Sequence, residues 1–234
     1  MKTITITLSK EDVTLTGYIH ERCRKFINID KRPAVMVFPG GGYYDCSDLE
    51  AEPIALSYMA EGYHAFVLKY TVGPAAEFAD ALKDAETALQ ILHDRAEEWN
   101  IDTDKIAVIG FSAGGHLAAA LGTMGKVKPS ALLLGYPCIL DSMGKALDKE
   151  FPGLDTKVGS DTPPSFLFAA RKDQMVPIAN SLSFAAALDK AGVDFEMHIF
   201  QDGQARAFAC EAAYQQGFRG QCGRKFLPVV CPER

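Results

Sequence analysis

The chain has 234 residues, of which 48% are hydrophobic and 23% charged, and its formal net charge is −6 at pH 7. This length and composition are typical of a globular protein with a sizeable core, and we expect one domain over residues 1–234. The acidic balance and the lack of a long Lys/Arg run argue against nucleic acid as a partner.

Eight short runs of apolar and β-branched residues predict β-strands. The first two, at 3–7 and 13–19, alternate between polar and apolar residues and lie close together, as in an antiparallel hairpin. The later six are mostly continuous apolar runs, which are typical of parallel strands buried on both faces. They lie at 34–38, 64–70, 106–109, 131–136, 165–170 and 195–200.

Helical patterns separate these strands, at 48–61, 77–99, 113–123 and 178–191. Strands that alternate with helices predict a mainly parallel sheet with helices on both faces. The remaining long gap, 137–164, is rich in Gly, Pro and Asp. It is either an excursion over the carboxyl edge of the sheet that shapes a substrate pocket or a plain surface loop.

Three consecutive glycines follow the strand at 34–38, in the segment FPGGGYY. Glycines let the backbone approach a ligand closely and turn its N–H groups toward one point. A flexible glycine loop is the alternative interpretation. The position after a core strand and before the serine motif described next favours hydrogen-bond donors for a negatively charged oxygen.

The segment GFSAGGH places Ser112 between glycines where a strand should become a helix. Residues 110–114 fit G-x-S-x-G, in which the serine occupies a sharp, strained turn and is exposed as a nucleophile. A glycine-rich connection with a chance serine is the alternative.

Asp173 follows the strand at 165–170, in the segment ARKDQMVP. An aspartate in a loop after a late strand can orient a catalytic histidine. A solvated loop acid is the alternative, but the chain order serine then aspartate favours the catalytic interpretation.

Residues 30 to about 204 resemble the α/β-hydrolase esterases, in particular the acetyl-xylan-esterase-like and feruloyl-esterase-like branch. The resemblance lies in the segments VFPGGGY, GFSAGGHLAA, LLLGYPCI, KDQMVP and FEMHIFQDG. It implies the α/β-hydrolase fold, with an eight-stranded, mostly parallel sheet that begins with an antiparallel hairpin. It also implies Ser112 as nucleophile, Asp173 as the triad acid, and an oxyanion hole formed by the N–H groups of Gly41, Gly42 and Ala113.

The same resemblance implies hydrolysis of acetyl esters of carbohydrate or of similar small esters, with no metal or cofactor. Pro39 replaces the leading histidine of the HGGG motif of such enzymes, a departure that leaves the glycine N–H groups free to donate. The partner we expect is therefore a small-molecule or oligosaccharide ester substrate.

The triad histidine of this family should follow the last strand, in a motif like DGxHG. Alignment on QDG places Ala205 and Arg206 where His-Gly belongs, so we expect the general base to be missing. His198 lies inside the strand at 195–200, seven residues before Ala205, which is up to about 20 Å along an extended chain, so it is a poor replacement for the base. His116, one helical turn after Ser112, corresponds to a family histidine that is not the base, and we expect it to be structural.

The other histidines, His20, His64 and His93, fall on the early hairpin, a strand start and a long helix, so they are poor candidates for the base.

The segment 203–234 differs in composition from the rest of the chain, with five Lys/Arg, two acids and three of the six cysteines. None of the cysteines forms a CxxC pair, so neither zinc nor a redox motif is indicated.

We attribute the unusual segment to a reading-frame slip near codon 205. Ala-Arg-Ala can be encoded GCA-CGG-GCT, and loss of the first base restores His-Gly-Leu. A gene sequence without His-Gly in any frame at that position would exclude this hypothesis.

No apolar run approaches the roughly 18 residues of a membrane span, and the first residues lack the apolar core of a signal peptide. We therefore expect a cytoplasmic protein without a membrane partner. The leading function is a serine hydrolase of small carboxylic esters, impaired by the missing histidine. The alternatives are a catalytically inactive binding protein with the same fold, and another hydrolase such as a peptidase or thioesterase.

Overall fold

A computed structural model describes residues 1–22 and 30–202, and its centre is one eight-stranded sheet. The strand order is β1-β2-β4-β3-β5-β6-β7-β8. β1 pairs antiparallel with β2, β2 pairs antiparallel with β4, and every later pairing is parallel. The strands are β1 (Lys2–Thr7), β2 (Thr14–Ile19), β3 (Arg32–Phe38), β4 (His64–Lys69), β5 (Ile101–Phe111), β6 (Ala131–Gly135), β7 (Ser165–Ala170) and β8 (Phe195–Phe200).

In the described part of the chain, six α-helices connect these strands: α1 (Glu52–Ala60), α2 (Phe78–Asp94), α3 (Ala96–Trp99), α4 (Ser112–Met124), α5 (Asp141–Leu147) and α6 (Ala179–Ala191). A short 3-10 helix, Asp48–Glu50, precedes α1. Among the described residues, no helix is long and apolar enough to cross a membrane.

The two faces of the sheet carry separate hydrophobic cores, because successive side chains of a strand point to opposite sides. In β3, Met36 and Phe38 enter one core and Val35 and Val37 enter the other. Side chains of α2, α4 and α6 pack into the first core, and side chains of α1 pack into the second. This arrangement confirms the α/β-hydrolase fold expected from the sequence.

Seven of the eight predicted strands match the observed ones closely and β5 extends beyond its prediction at both ends, whereas two helical predictions and one loop prediction needed correction. The pattern at 48–61 is a 3-10 turn followed by α1, and the pattern at 77–99 is divided between α2 and α3 at Arg95. The segment 137–164, expected to be a loop, contains α5. Asp141–Leu147 is too short for helical periodicity to be distinguished from a loop sequence.

The carboxyl ends of β3, β5, β6 and β7 lie along one edge of the sheet. The registers pair Phe38 with Gly110, Phe111 with Gly135, and Gly135 with Phe168. Residues that directly follow these strands are therefore neighbours in space although they are far apart in sequence. In open α/β sheets this edge is the usual place for a ligand site.

Candidate active site

Ser112 lies at the junction of β5, which ends at Phe111, and α4, which begins at Ser112. Its φ of +51° is in the left-handed region, which costs an L-residue about 1–2 kcal/mol. Gly114 allows this turn to pack against the end of β3, because a Cβ atom there would lie 2.2 Å from the carbonyl oxygen of Phe38. The strand–turn–helix elbow predicted for Ser112 is confirmed.

The glycine loop lies directly beside this serine. Gly41, Gly42 and Tyr43 all have positive φ, and a Cβ atom on Gly41 would lie 2.1 Å from the Oδ1 atom of Asp45. A Cβ atom on Gly40 would lie 3.1 Å from the Cβ of Ser112, so the two segments are in contact. The loop therefore needs glycine both for its backbone angles and for its space.

The N–H groups of this loop differ in what they bind. Gly40 donates its N–H to the Oε2 atom of Glu50 at 2.7 Å. Within the described part of the chain, the N–H groups of Gly41 and Gly42 donate to no other residue. Ala113 is the second residue of α4, where a backbone N–H has no partner within its own helix and where the positive end of the helix dipole lies. These three groups have the chemistry needed to hold a negatively charged oxygen.

Asp173 follows the end of β7 by three residues and is only 6% exposed. Its Oδ1 atom accepts hydrogen bonds from the N–H groups of Met175 at 2.8 Å and Val176 at 3.0 Å. Its Oδ2 atom is buried and receives no hydrogen bond from any described residue. A buried carboxyl oxygen without a donor is costly, which marks this atom as the place for a partner.

Cys138 forms one wall beside the serine and was not singled out from the sequence. Its sulfur lies 3.6 Å from the Oγ atom of Ser112, and its N–H donates to the carbonyl oxygen of Ser112 at 3.1 Å. Burial raises the pKa of the thiol to about 12, and the charges of Asp173 and Glu50 also raise it. Both carboxyl groups are therefore within electrostatic range of a thiol that touches Ser112.

Each ring nitrogen of His116 has a hydrogen-bond partner away from Ser112. The hydroxyl of Tyr43 lies 2.8 Å from Nδ1, and the carbonyl oxygen of Pro152 lies 3.0 Å from Nε2. The carbonyl can only accept, so Nε2 donates to it and Nδ1 accepts from the tyrosine. Burial lowers the pKa of His116 to about 4. These contacts fit the expectation that His116 is structural.

The remaining histidines also lie away from the serine. His198 aligns with Phe111 across β6 and β7, which is three strand spacings or about 14 Å. Its Nε2 atom pairs with Glu196 at 2.8 Å. His64 begins β4 at the opposite edge of the sheet, where its Nδ1 atom accepts the N–H of His20. His93 lies near the end of α2. Ala205 and Arg206, where the sequence predicts the lost base, lie outside the described residues.

Together, the mostly parallel sheet, the serine elbow and the glycine loop at its carboxyl edge define an α/β hydrolase. The BD-FAE family model matches residues 27–145, and the model of the prolyl oligopeptidase family matches residues 147–204. Because the first match covers half of the chain, the chain belongs to the BD-FAE family.

Two solved structures are similar over most of the chain. An α/β hydrolase enzyme, MGS-M1, from a Medee basin deep-sea metagenome library is 46% identical, with a TM-score of 0.83 over 88% of this chain and 83% of that one. The acetyl ester-xyloside bifunctional hydrolase from Caldicellulosiruptor lactoaceticus is 36% identical, with a TM-score of 0.75 over 83% of this chain and 79% of that one.

A curated relative, the acetylxylan esterase of Xylanibacter ruminicola, is 28% identical over 193 residues, which are 73% of this chain. The chain spans 40% of that relative's length and 32% of the length of the endo-1,4-beta-xylanase B of Butyrivibrio fibrisolvens, which it also matches. The relatives thus include an acetylxylan esterase, an arylesterase and a xylanase.

Proposed function

We propose that this protein is a serine esterase that cleaves small carboxylic esters, with Ser112 as the nucleophile. The observation that carries the proposal is the contact between the left-handed elbow at Ser112 and the glycine loop, whose Gly41 and Gly42 N–H groups have no partner among the described residues. A serine beside unpaired donors is the arrangement that acyl transfer requires.

In the proposed reaction the Oγ atom of Ser112 attacks the ester carbonyl carbon and passes its proton to solvent water, which later supplies the proton that the departing alcohol takes. The carbonyl oxygen becomes negatively charged and accepts hydrogen bonds from Gly41, Gly42 and Ala113. When the bond between that carbon and the alcohol oxygen breaks, the alcohol takes a proton and leaves an acyl-enzyme. Water then attacks the acyl group, and the carboxylic acid and the free serine are released.

Asp173 is the acid of this triad in our proposal. Its Oδ1 atom is held by two N–H groups, while its buried Oδ2 atom lacks a donor from the described residues. That is the state of a carboxyl group whose imidazole partner is absent. The positions of all five histidines support the same conclusion, and we propose that the chain as given lacks its general base.

We propose acetyl esters of carbohydrate as the substrate class. The support comes from two similar proteins, an acetylxylan esterase and an acetyl ester-xyloside bifunctional hydrolase. A second candidate, a peptidase, is supported by the match of residues 147–204 to the prolyl oligopeptidase family. An inactive binding protein with this fold is the third candidate, and its support is the missing base alone.

The experiment is to measure hydrolysis of 4-nitrophenyl acetate, acetylated xylo-oligosaccharides and an aminoacyl 4-nitroanilide by the chain and by Ser112→Ala. We expect slow release from the two acetyl esters, none from the anilide, and still slower ester release in Ser112→Ala. Ester hydrolysis at the parent rate in Ser112→Ala would refute Ser112 as the nucleophile. Faster cleavage of the anilide than of the esters would favour the peptidase.

A further inference from the structure

Glu50 is a buried acidic residue in the segment between the glycine loop and α1. It ends the 3-10 helix Asp48–Glu50 and is 2% exposed. A buried carboxyl group is costly unless its oxygens are hydrogen-bonded, and an apolar side chain of similar size would avoid that cost. Neither the sequence motifs nor the proposed reaction accounts for an acid at this position.

The two oxygens of Glu50 bind two different segments. Oε2 accepts the N–H of Gly40 at 2.7 Å, and Oε1 accepts the hydroxyl of Tyr136 at 2.5 Å. Gly40 follows the end of β3, and Tyr136 follows the end of β6. Because β5 lies between β3 and β6 in the sheet, the carboxyl group connects the segments on either side of Ser112.

Both segments form walls of the proposed site. Gly40 directly precedes the two glycines whose N–H groups have no partner among residues 1–22 and 30–202. A Cβ atom on Gly40 would lie 2.6 Å from Oε2 of Glu50 and 3.1 Å from the Cβ of Ser112. Tyr136 lies two residues before Cys138 and has a φ of +36°, a strained angle for a tyrosine. Glu50 therefore holds a close-packed glycine and a strained tyrosine at the same time.

An oxyanion hole stabilises a transition state because its donors are already aimed before the reaction begins. The peptide plane that carries the Gly40 N–H shares the Cα atom of Gly40 with the plane that carries the Gly41 N–H, so its orientation helps to determine where the following donors point. We propose that Glu50 is a positioning residue that fixes the oxyanion loop through Gly40 and anchors the Cys138 wall through Tyr136. This inference rests on the proposed function of the site.

Three variants of this network separate positioning from general stability. Glu50→Ala removes both contacts. Glu50→Gln can keep both, since its oxygen accepts from Gly40 and its amide donates to the oxygen of Tyr136. Tyr136→Phe removes one. The matched control is Asp84→Ala, because Asp84 is also 2% exposed and accepts bonds from Ser9 and from the N–H and hydroxyl of Thr71.

Two readouts are needed, at a temperature well below the melting point of every variant. The first is kcat and KM for 4-nitrophenyl acetate, and the second is hydrogen–deuterium exchange of the peptide that covers residues 38–46. We expect Glu50→Ala to lower kcat by about 10²-fold with little change in KM, and to speed exchange in that peptide. Glu50→Gln should stay within about tenfold of the parent kcat, with Tyr136→Phe between the two.

The control variant Asp84→Ala and the nucleophile variant Ser112→Ala define the results that would contradict the inference. Asp84→Ala should lower the melting temperature without speeding exchange in residues 38–46. If Glu50→Ala behaves like Asp84→Ala in both readouts, the inference is overturned. If Ser112→Ala keeps the parent activity, the proposed function fails and the exchange readout alone decides the role of Glu50. If Glu50→Ala does not fold, parent-like kcat and exchange in Tyr136→Phe overturn the inference.

Discussion

The hydroxyl oxygen of Ser112 lies 3.6 Å from the sulfur of Cys138, across the carboxyl ends of two adjacent strands. The thiol is 1% exposed, so it serves as a packed wall of the site. The thiolate is the reactive form of cysteine, and burial raises the pKa of this one to about 12. Cys138, the neighbour of the proposed nucleophile, is therefore expected to be unreactive in the folded protein.

We therefore expect iodoacetamide to leave Cys138 unmodified in the folded protein near pH 8. Only about 10⁻⁴ of a thiol with this pKa is ionised there. Peptide mapping by mass spectrometry measures the labelling of Cys138 alone, and the same protein unfolded in urea is the control in which it should react. Rapid labelling of Cys138 in the folded state would contradict the buried, protonated thiol.

The left-handed backbone at Ser112 leads to a prediction about stability. Glycine adopts a φ of +51° without steric cost, whereas alanine keeps the strain of serine. After allowance for the greater flexibility of glycine in the unfolded chain, Ser112→Gly should exceed Ser112→Ala in free energy of unfolding by about 0.5–1 kcal/mol. Urea denaturation of the two variants measures this difference. A Ser112→Gly protein no more stable than Ser112→Ala would mean that the elbow is not strained.

The buried His116 predicts how stability depends on pH. Burial lowers its pKa from 6.5 to about 4, so between these values the unfolded chain binds a proton that the folded protein does not. Stability should therefore fall as the pH is lowered from about 6.5 toward 4, and His64, with a pKa also lowered to about 4, acts in the same direction. His116 should contribute about 2 kcal/mol to the loss between pH 7 and pH 5, and His64 should add to it.

The test compares urea unfolding at these two pH values for the parent and for His116→Gln. The glutamine variant should lose less stability on acidification, whatever its stability at pH 7. His198→Gln is the control, because His198 lies on β8 and its ring is partly exposed. An equal pH dependence in the parent and in His116→Gln would show that His116 does not stay neutral through burial.

Asp173 provides a test for the missing base. The loss of one triad member in serine hydrolases costs on the order of 10⁴–10⁶ in turnover, and the remaining site still exceeds water by about 10³–10⁴. Because the proposed site has no histidine for this aspartate to orient, Asp173→Asn should leave the slow turnover of the chain as given almost unchanged. Its amide oxygen can still accept the N–H groups that hold Oδ1.

Asp173→Asn should lower the turnover number more strongly when it is combined with Ala205→His and Arg206→Gly. We expect that double variant to recover part of the rate, and Asp173→Asn to remove most of the gain. Turnover numbers with 4-nitrophenyl acetate measure both effects. If the chain as given already turns over at about 10 per second, or if Asp173→Asn abolishes its activity, another base is present.

The strands of this protein could be located from its sequence because a buried parallel strand requires a continuous apolar run on both faces. The run at 165–170 and β7 coincide. β5 begins at Ile101, earlier than predicted, because the polar residues 102–105 interrupt the apolar run from which a strand is recognised. The elbow at Ser112 was also predictable, since its glycines and its strand-to-helix change are local features.

The sequence by itself thus determined the fold class, the serine elbow, the glycine loop and the candidate acid, all of which are signalled by residues close together in the chain. Only the tertiary structure decided that Glu50 accepts the N–H of Gly40, and it placed Cys138 beside Ser112 and Glu50 between Gly40 and Tyr136. These contacts join segments that meet because the carboxyl ends of β3, β5 and β6 share one edge of the sheet. An acid such as Glu50 resembles a solvated helix residue until packing encloses it, because periodicity records which face a residue is on and not what it touches.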